Sequence, residues 1–491
     1  IWRFQSSVPV RVARYVLLLP GGWTHEERWF NAAATAPRSS GNEIVWEIAG
    51  VVGIKEEPGM PSEHAIAARM TINFLPPQDR SKAQTHRTWN DIGRWYGRIA
   101  RQQRTATAEL QSKTRELTAP KTNLMEKIRV IASFAQREVR YVAIEIGTGT
   151  YQPRLAPDIL ANRYGDCKDK VTVLSTMLHE IGIDSYDVLV NTARGVVSSD
   201  FPSLGAINHV IAAIRVPEGS PTSGLYAIIE HPRLGKLLLF DPTNATTAFG
   251  SLPKYLQESR GLLVSGDGGE LIELPAQPAE SSRLTVTAKL KLGMDGTLEG
   301  DVREVRTGTA AAEYRDQVAS MSDAERTKFM EQRLAQRFSS YVMRGLVIEN
   351  VNDLTSDLIV RFHVTAPGYA KRAAGMLIVR PHAFGGGSVP TIDVKERLYP
   401  YELSGPSIET EEIEIGMPSG LVADEMPAPQ SRSAAGVSYR SESSLVGGVL
   451  RFHSETCMQR CVVPRAAVED LSRLFASIRT TERNSVVVKS N

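Results

Sequence analysis

The sequence is short of cysteine, of excess charge and of long apolar runs, and each shortage excludes a class of protein. Three cysteines in 491 residues cannot frame a disulfide scaffold. Lys and Arg number 57 against 55 Asp and Glu, a net charge of +2, so no sequence-independent attraction to nucleic acid or to an acidic membrane surface is expected. A sequence pI of 8.3 does not change that. The longest apolar runs, such as residues 15–19 and 237–240, fall far short of the roughly 18 residues of a spanning helix, so the chain reads as soluble. No Gly-rich loop follows a strand and opens a helix: Gly385-Gly386-Gly387 leads into Ser388-Val389-Pro390, which leaves nucleotide binding unsupported. No cofactor or metal is expected, and no internal repeat is evident. What is there is 42% hydrophobic residues over a length that holds about three domains, which rules out fibrous and wholly disordered chains.

The first residue is Ile1, and residues 8–19 already read as strand, so we expect the sequence to begin inside a domain of a longer precursor. Cys457 and Cys461 lie close enough to pair while Cys167 stands alone, a pattern that fits an oxidising compartment and a periplasmic or secreted protein. All six tryptophans (Trp2, Trp23, Trp29, Trp46, Trp89, Trp95) fall in the first 95 residues, which marks a separate domain. Within it, residues 10–19, 43–52 and 66–74 are β-favouring runs divided by Pro20-Gly21-Gly22 and Pro58-Gly59, the pattern of an antiparallel sandwich. Its tryptophans read as core more than as a ligand platform. Residues 88–117 turn helical, with Trp89, Ile92, Trp95, Tyr96 and Ile99 on one stripe.

After Pro120 a mixed domain opens with a helical stripe of Leu124, Ile128, Ile131, Phe134, Ala135 and Val139. A second helix starts near Asp166 and stops before Gly182. Strand-like runs at 185–191, 207–216, 225–230 and 236–241 follow, and helices succeeded by consecutive strands indicate α+β. Beyond about residue 275 the chain is β-rich again: 284–292 alternates, 310–338 is a helix pair, and 339–364, 394–403 and 447–452 return to strand. Residues 426–435 read as linker. The expected division is 1–118, 119–272 and 273–491.

Tyr164-Gly165-Asp166-Cys167-Lys168-Asp169-Lys170 puts Cys167 in the first turn of a helix. Free backbone N–H groups and the helix dipole there favour a thiolate and can hold an oxyanion. A lone cysteine is more often a small buried apolar residue, so the reading needs partners. His179 lies twelve residues along the same helix, about 18 Å away at about 1.5 Å per residue, out of reach. His209, in Asn208-His209-Val210-Ile211, opens an apolar strand, and Asp241, in Phe240-Asp241-Pro242-Thr243, ends another. Antiparallel pairing can set a strand start beside a strand end, which would make Asp241 the orienting group of His209. The bland alternatives are a satisfied core histidine and Asp-Pro turn chemistry.

Those three motifs, in that order and 42 and 32 residues apart, resemble the bacterial transglutaminase-like superfamily, with Tyr151-Gln152-Pro153 and Ala161-Asn162-Arg163-Tyr164 upstream. The resemblance covers about residues 120–265. It implies a papain-like cysteine core in which Cys167 attacks an amide or acyl carbonyl, His209 shuttles the proton and Asp241 orients His209. Hydrolysis and transamidation both follow from it, with protein or peptide as substrate. Gln152 is a candidate second oxyanion donor. Asp166, Lys168 and Asp169 read as capping or solvating the helix start. The flanks resemble, more weakly, an arrangement in which a β-sandwich domain of unknown function precedes the core and an uncharacterised β domain follows. The connection between the histidine and aspartate strands, through residues 217–224 and 230–235, is longer than the pattern requires. A rival reading keeps the fold but leaves the triad idle in a binding or scaffold protein. His453, Cys457 and Cys461 recur every four residues, but no fourth ligand lies nearby, so a Cys457–Cys461 disulfide or two free thiols is expected over a metal site.

Overall fold

The computed structural model describes residues 1–77, 86–144, 146–266, 268–373, 375–384 and 389–490, so the Gly385-Gly386-Gly387 loop lies outside the described residues. The chain divides into two compact units, residues 1–245 with 249–276, and 246–248 with 277–491. The architecture is α+β, and no helix among the described residues is long and apolar enough to cross a membrane.

The first unit begins with two three-stranded sheets, one built around Arg69–Leu75 and one around Glu43–Val51. Phe4, Leu17, Leu19, Trp46 and Met70 form their small core. Trp46 is fully buried in it, whereas Trp2 is exposed. The stripe at 88–117 is two helices, not one. Helix α1 (Trp89–Arg101) opens with a Thr88/Asp91 capping box, and the chain breaks at 102–107, where Arg104 turns to pair with Asp187 at 2.7 Å. Thr107 then caps a fresh helix, Ala108–Thr118. Helix α2 (Leu124–Arg137) buries Ile128, Ile131, Phe134 and Ala135 as its spacing requires.

Helix α3 (Cys167–His179) is buried all round from Cys167 to Leu178, its charged first turn included, so it is the central helix of the unit. Beside it runs a six-stranded antiparallel sheet in the order Ile228–His231, β3 (Gly235–Phe240), β2 (His209–Arg215), β1 (Ser185–Val190), β4 (Ser259–Ser265), β5 (Gly268–Leu274). Helix α1 docks onto β4 and β5 through glycines: a Cβ added to Gly93 would stand 2.4 Å from the Gly269 Cα. Only hydrogen at both positions allows that approach.

The second unit carries an eight-stranded sheet that includes β6 (Arg283–Leu292), β7 (Leu298–Arg306), β8 (Leu358–Ala366), β9 (Ser407–Gly416), β10 (Val437–Val446) and β11 (Val449–Met458). Helices α4 (Gly308–Val318) and α5 (Asp323–Ala335) contribute Tyr314, Val318, Met330 and Leu334 to its core. Two expectations fail here. Residues 394–403 are irregular apart from the bridge Tyr401–Glu402, because Arg397 turns back to donate to the Tyr399 and Pro400 carbonyls. The expected linker at 426–435 contains Gln430–Ala434, an edge strand paired with β10, where backbone pairing outweighs loop-like composition.

Candidate active site

Cys167 is the first residue of α3, and the residues around it fix that start. Asp166 is the N-cap: its carboxylate accepts from the Asp169 N–H at 3.3 Å, and the Asp169 carboxylate accepts from the Asp166 N–H at 3.1 Å. Asp169 also accepts from the Arg154 backbone N–H at 2.8 Å and from its guanidinium at 3.0 and 2.7 Å, which ties Arg154 to the helix start. Gly165 lets this happen, since a Cβ there would sit 2.5 Å from the Asp169 Cβ. Capping by Asp166 and Asp169 is as the sequence suggests, but solvation is not: Asp166, Lys168 and Asp169 are all buried, with Lys168 ion-paired to Asp166. Burial raises the Asp166 pKa, against the pull of Lys168.

His209 opens β2, and Asp241 follows the last residue of β3, its antiparallel neighbour. The His209 Nε2 lies 2.9 Å from Asp241 Oδ2. The Cys167 thiol lies near the same ring and helps to raise its pKa. Asp241 is 2% exposed and both its oxygens are engaged. Oδ1 accepts from the Thr243 N–H at 2.9 Å and its hydroxyl at 2.7 Å, and Oδ2 accepts from the Tyr255 hydroxyl at 3.0 Å.

The electrostatics follow from these contacts. Burial favours a neutral His209, but the charge and hydrogen bond of Asp241, with Cys167, outweigh it and push the pKa up to about 10. Burial opposes ionisation of Asp241, yet His209 and Thr243 hold its carboxyl below the usual value. Lys170, one turn into α3, is fully enclosed. Its ammonium donates to the Gln136 and Val139 carbonyls at 2.9 and 2.7 Å, which pins α3 to the end of α2, and burial lowers its pKa to about 8 against the charge of Asp241.

The structure thus brings Cys167, His209 and Asp241 together. Gln152 follows a short 3-10 turn, its N–H bonded to the Thr148 carbonyl at 2.9 Å, and none of its recorded contacts reaches Cys167. His179 sits at the far end of α3. Sequence reasoning missed Tyr255 and Tyr96. Tyr96 of α1 is 3% exposed, and burial, then Asp187 and Cys167, raise its hydroxyl pKa well above the ordinary value. Only its place on an apolar stripe signalled it, and that signal means packing. Cys457 and Cys461 are not joined in a disulfide; His453 and Cys457 share strand β11 while Cys461 lies beyond its end. No group of metal ligands is found among the described residues.

Residues 111–219 match the sequence model of the transglutaminase-like superfamily, a span that includes Cys167 and His209 and ends before Asp241. A solved structure from Parabacteroides distasonis, described as a candidate protease, superposes with a TM-score of 0.58 at 12% identity and covers 99% of this chain and 74% of its own. At that identity the likeness concerns the fold. No curated protein matches the chain. The fold is α+β, with a transglutaminase-like domain flanked by β-rich segments.

Proposed function

We propose that the chain is a cysteine-dependent acyl-transfer enzyme acting on amide bonds of protein or peptide substrates. The observation that carries this reading is the placement of Cys167 at a capped helix start near a His209 ring that meets buried Asp241 at 2.9 Å. The Cys167 thiolate attacks the carbonyl carbon, and the oxyanion that forms meets N–H groups at the start of α3, with the Gln152 amide as candidate second donor. His209 gives its proton to the leaving amine as the C–N bond breaks, which leaves a thioester on Cys167. An acceptor then loses a proton to His209 and attacks the thioester: water gives hydrolysis, an amine gives transamidation. Hydrolysis ranks first, supported by the description of the Parabacteroides protein as a candidate protease.

The test uses iodoacetamide and then glutamine-containing peptides, with and without an added amine, read by mass spectrometry. Cys167→Ala should abolish turnover with an unchanged circular dichroism spectrum. Loss of His209 should slow Cys167 alkylation at neutral pH and cost more turnover than Asp241→Asn, for which about 10²- to 10⁴-fold is expected. Full turnover by Cys167→Ala would end the proposal.

A further inference from the structure

The core-facing side of the eight-stranded sheet in the second unit is apolar over most of its area and charged at one end. Alternation turns Leu284, Val286, Ala288 and Leu290 of β6 inward. Register sets Arg306 and Glu304 of β7 opposite Leu284 and Val286 on one flank, and Glu409 and Glu411 of β9 opposite the same two residues on the other. The row continues through Thr456 and Ser454 of β11 to Tyr439 and Ser441 of β10. A few residues further along the same strands, the equivalent positions are Val302, Ile413, Ile415, Phe452 and Leu450, all buried. Folding alone would fill the whole face in that second way, so the polar end answers to something else.

Two adjoining cavities of about 230 and 210 Å³ open on this polar end, with Leu284, Ser404 and Glu409 in the walls of both. Arginines line only one of them. The first holds Arg306 and Arg333, which Glu304 ties together at 2.6 and 3.5 Å, with Glu313 also in its wall. The second holds Glu409, Glu411 and Glu482 around a single imidazole, His382, which pairs with Glu411 and lies 3.6 Å from Glu482. Burial pushes the Glu409 and Glu482 carboxyls up, as expected of acids that lack enough positive charge. The Glu409 side chain has no hydrogen bond or ion pair among the described residues.

The first cavity also carries a buried polar atom without a hydrogen-bond partner: Arg306, 9% exposed, has its Nε unpaired there. Leaving such an atom unsatisfied is costly, so it is kept for a partner. Tyr439, 3% exposed and hydrogen-bonded to Ser441, lines the second. Water would satisfy the Arg306 Nε, but water does not call for arginines in one cavity and carboxylates without them in the other.

We infer that this chamber binds a small zwitterion, a free α-amino acid or a dipeptide, with its ammonium group at Glu409 and Glu482 and its carboxylate at Arg306 and Arg333. The site stands on the second unit alone and is independent of the chemistry proposed for Cys167.

The test is titration calorimetry on the full chain after alkylation of Cys167, which removes turnover from the signal. Alanine, lysine, glutamate and alanyl-alanine are the zwitterionic probes, and N-acetylalanine, alaninamide and putrescine each lack one end. At least one zwitterion should bind, with the corresponding N-acetylated and amidated forms about tenfold or more weaker; the amino acids against alanyl-alanine decide between the two ligand lengths. Glu409→Gln and Arg333→Met should each weaken binding about tenfold, and the near-isosteric Tyr439→Phe, which cannot disturb the ion pairs, should weaken it as well. Absence of zwitterion binding, equal binding of N-acetylalanine, binding of putrescine alone, or affinities unmoved in folded variants would each overturn the inference.

Discussion

His209 is held between a carboxylate and a thiol inside the protein, and its charge state follows from them. With a pKa pushed up to about 10, the imidazole carries its proton at neutral pH, so the proton needed by the leaving amine is in place before substrate arrives. The sign for stability follows. The raised folded value means that His209 contributes fully below about 6.5, the ordinary imidazole value, and that its contribution is lost as pH rises through about 10. Asp241 runs the other way: its lowered value stabilises the fold above the ordinary carboxyl range and is lost on acidification. An NMR titration of the imidazole resonances should therefore find His209 still charged at pH 8, and Asp241→Asn should bring its titration down. A wild-type His209 that becomes neutral below pH 7 would contradict this. Cys167, His209 and Asp241 were legible because each lies in a short motif at the end of a regular element. Tyr255 was not, because it reaches Asp241 from a short turn, Lys254–Leu256, with no periodicity to mark it.

At the scale of elements, the start of α3 and the docking of α1 both depend on close approaches that admit no side chain. Gly165 leaves room for Asp169 to cap the helix and to hold Arg154; Gly93 leaves room for the backbone of β5. Gly93→Ala would press a methyl group onto backbone that cannot step aside, and overpacking of that kind costs about 1–3 kcal/mol. Thermal denaturation should show a lower Tm for Gly93→Ala with little change in the rate of Cys167 alkylation. Gly165→Ala should do more to the alkylation rate, because the strained contact is with the cap that positions the thiol. Equal effects of the two on alkylation would show that the glycines act only through stability. The strands of the first unit were legible from their apolar runs and turn residues. The break at 102–107 was not, since what stops α1 is a tertiary pair, Arg104 with Asp187, 83 residues apart in the chain. The edge strand Gln430–Ala434 was hidden for the same reason: five polar or small residues become a strand only when β10 offers its backbone.

For the whole molecule, the return of β-rich sequence near residue 275 tracks a change in what is packed, whereas the composition step after Trp95 does not, since Trp89 lies in the same core as Cys167. The change near residue 275 coincides with the exchange of one hydrophobic core for another. Cys167, Ile211 and Leu239 belong to the core of the first unit, and Val286, Phe362 and Leu450 to that of the second. Because each core closes largely on residues of its own unit, the two should not melt as one. Scanning calorimetry is expected to give a calorimetric enthalpy larger than the van 't Hoff value, with two resolvable transitions. Gly93→Ala should lower only one of them, and a zwitterion bound in the polar chamber should raise only the other, by mass action on the unit that holds it. A single transition with matching enthalpies, moved as a whole by either change, would mean that the two cores are one cooperative system.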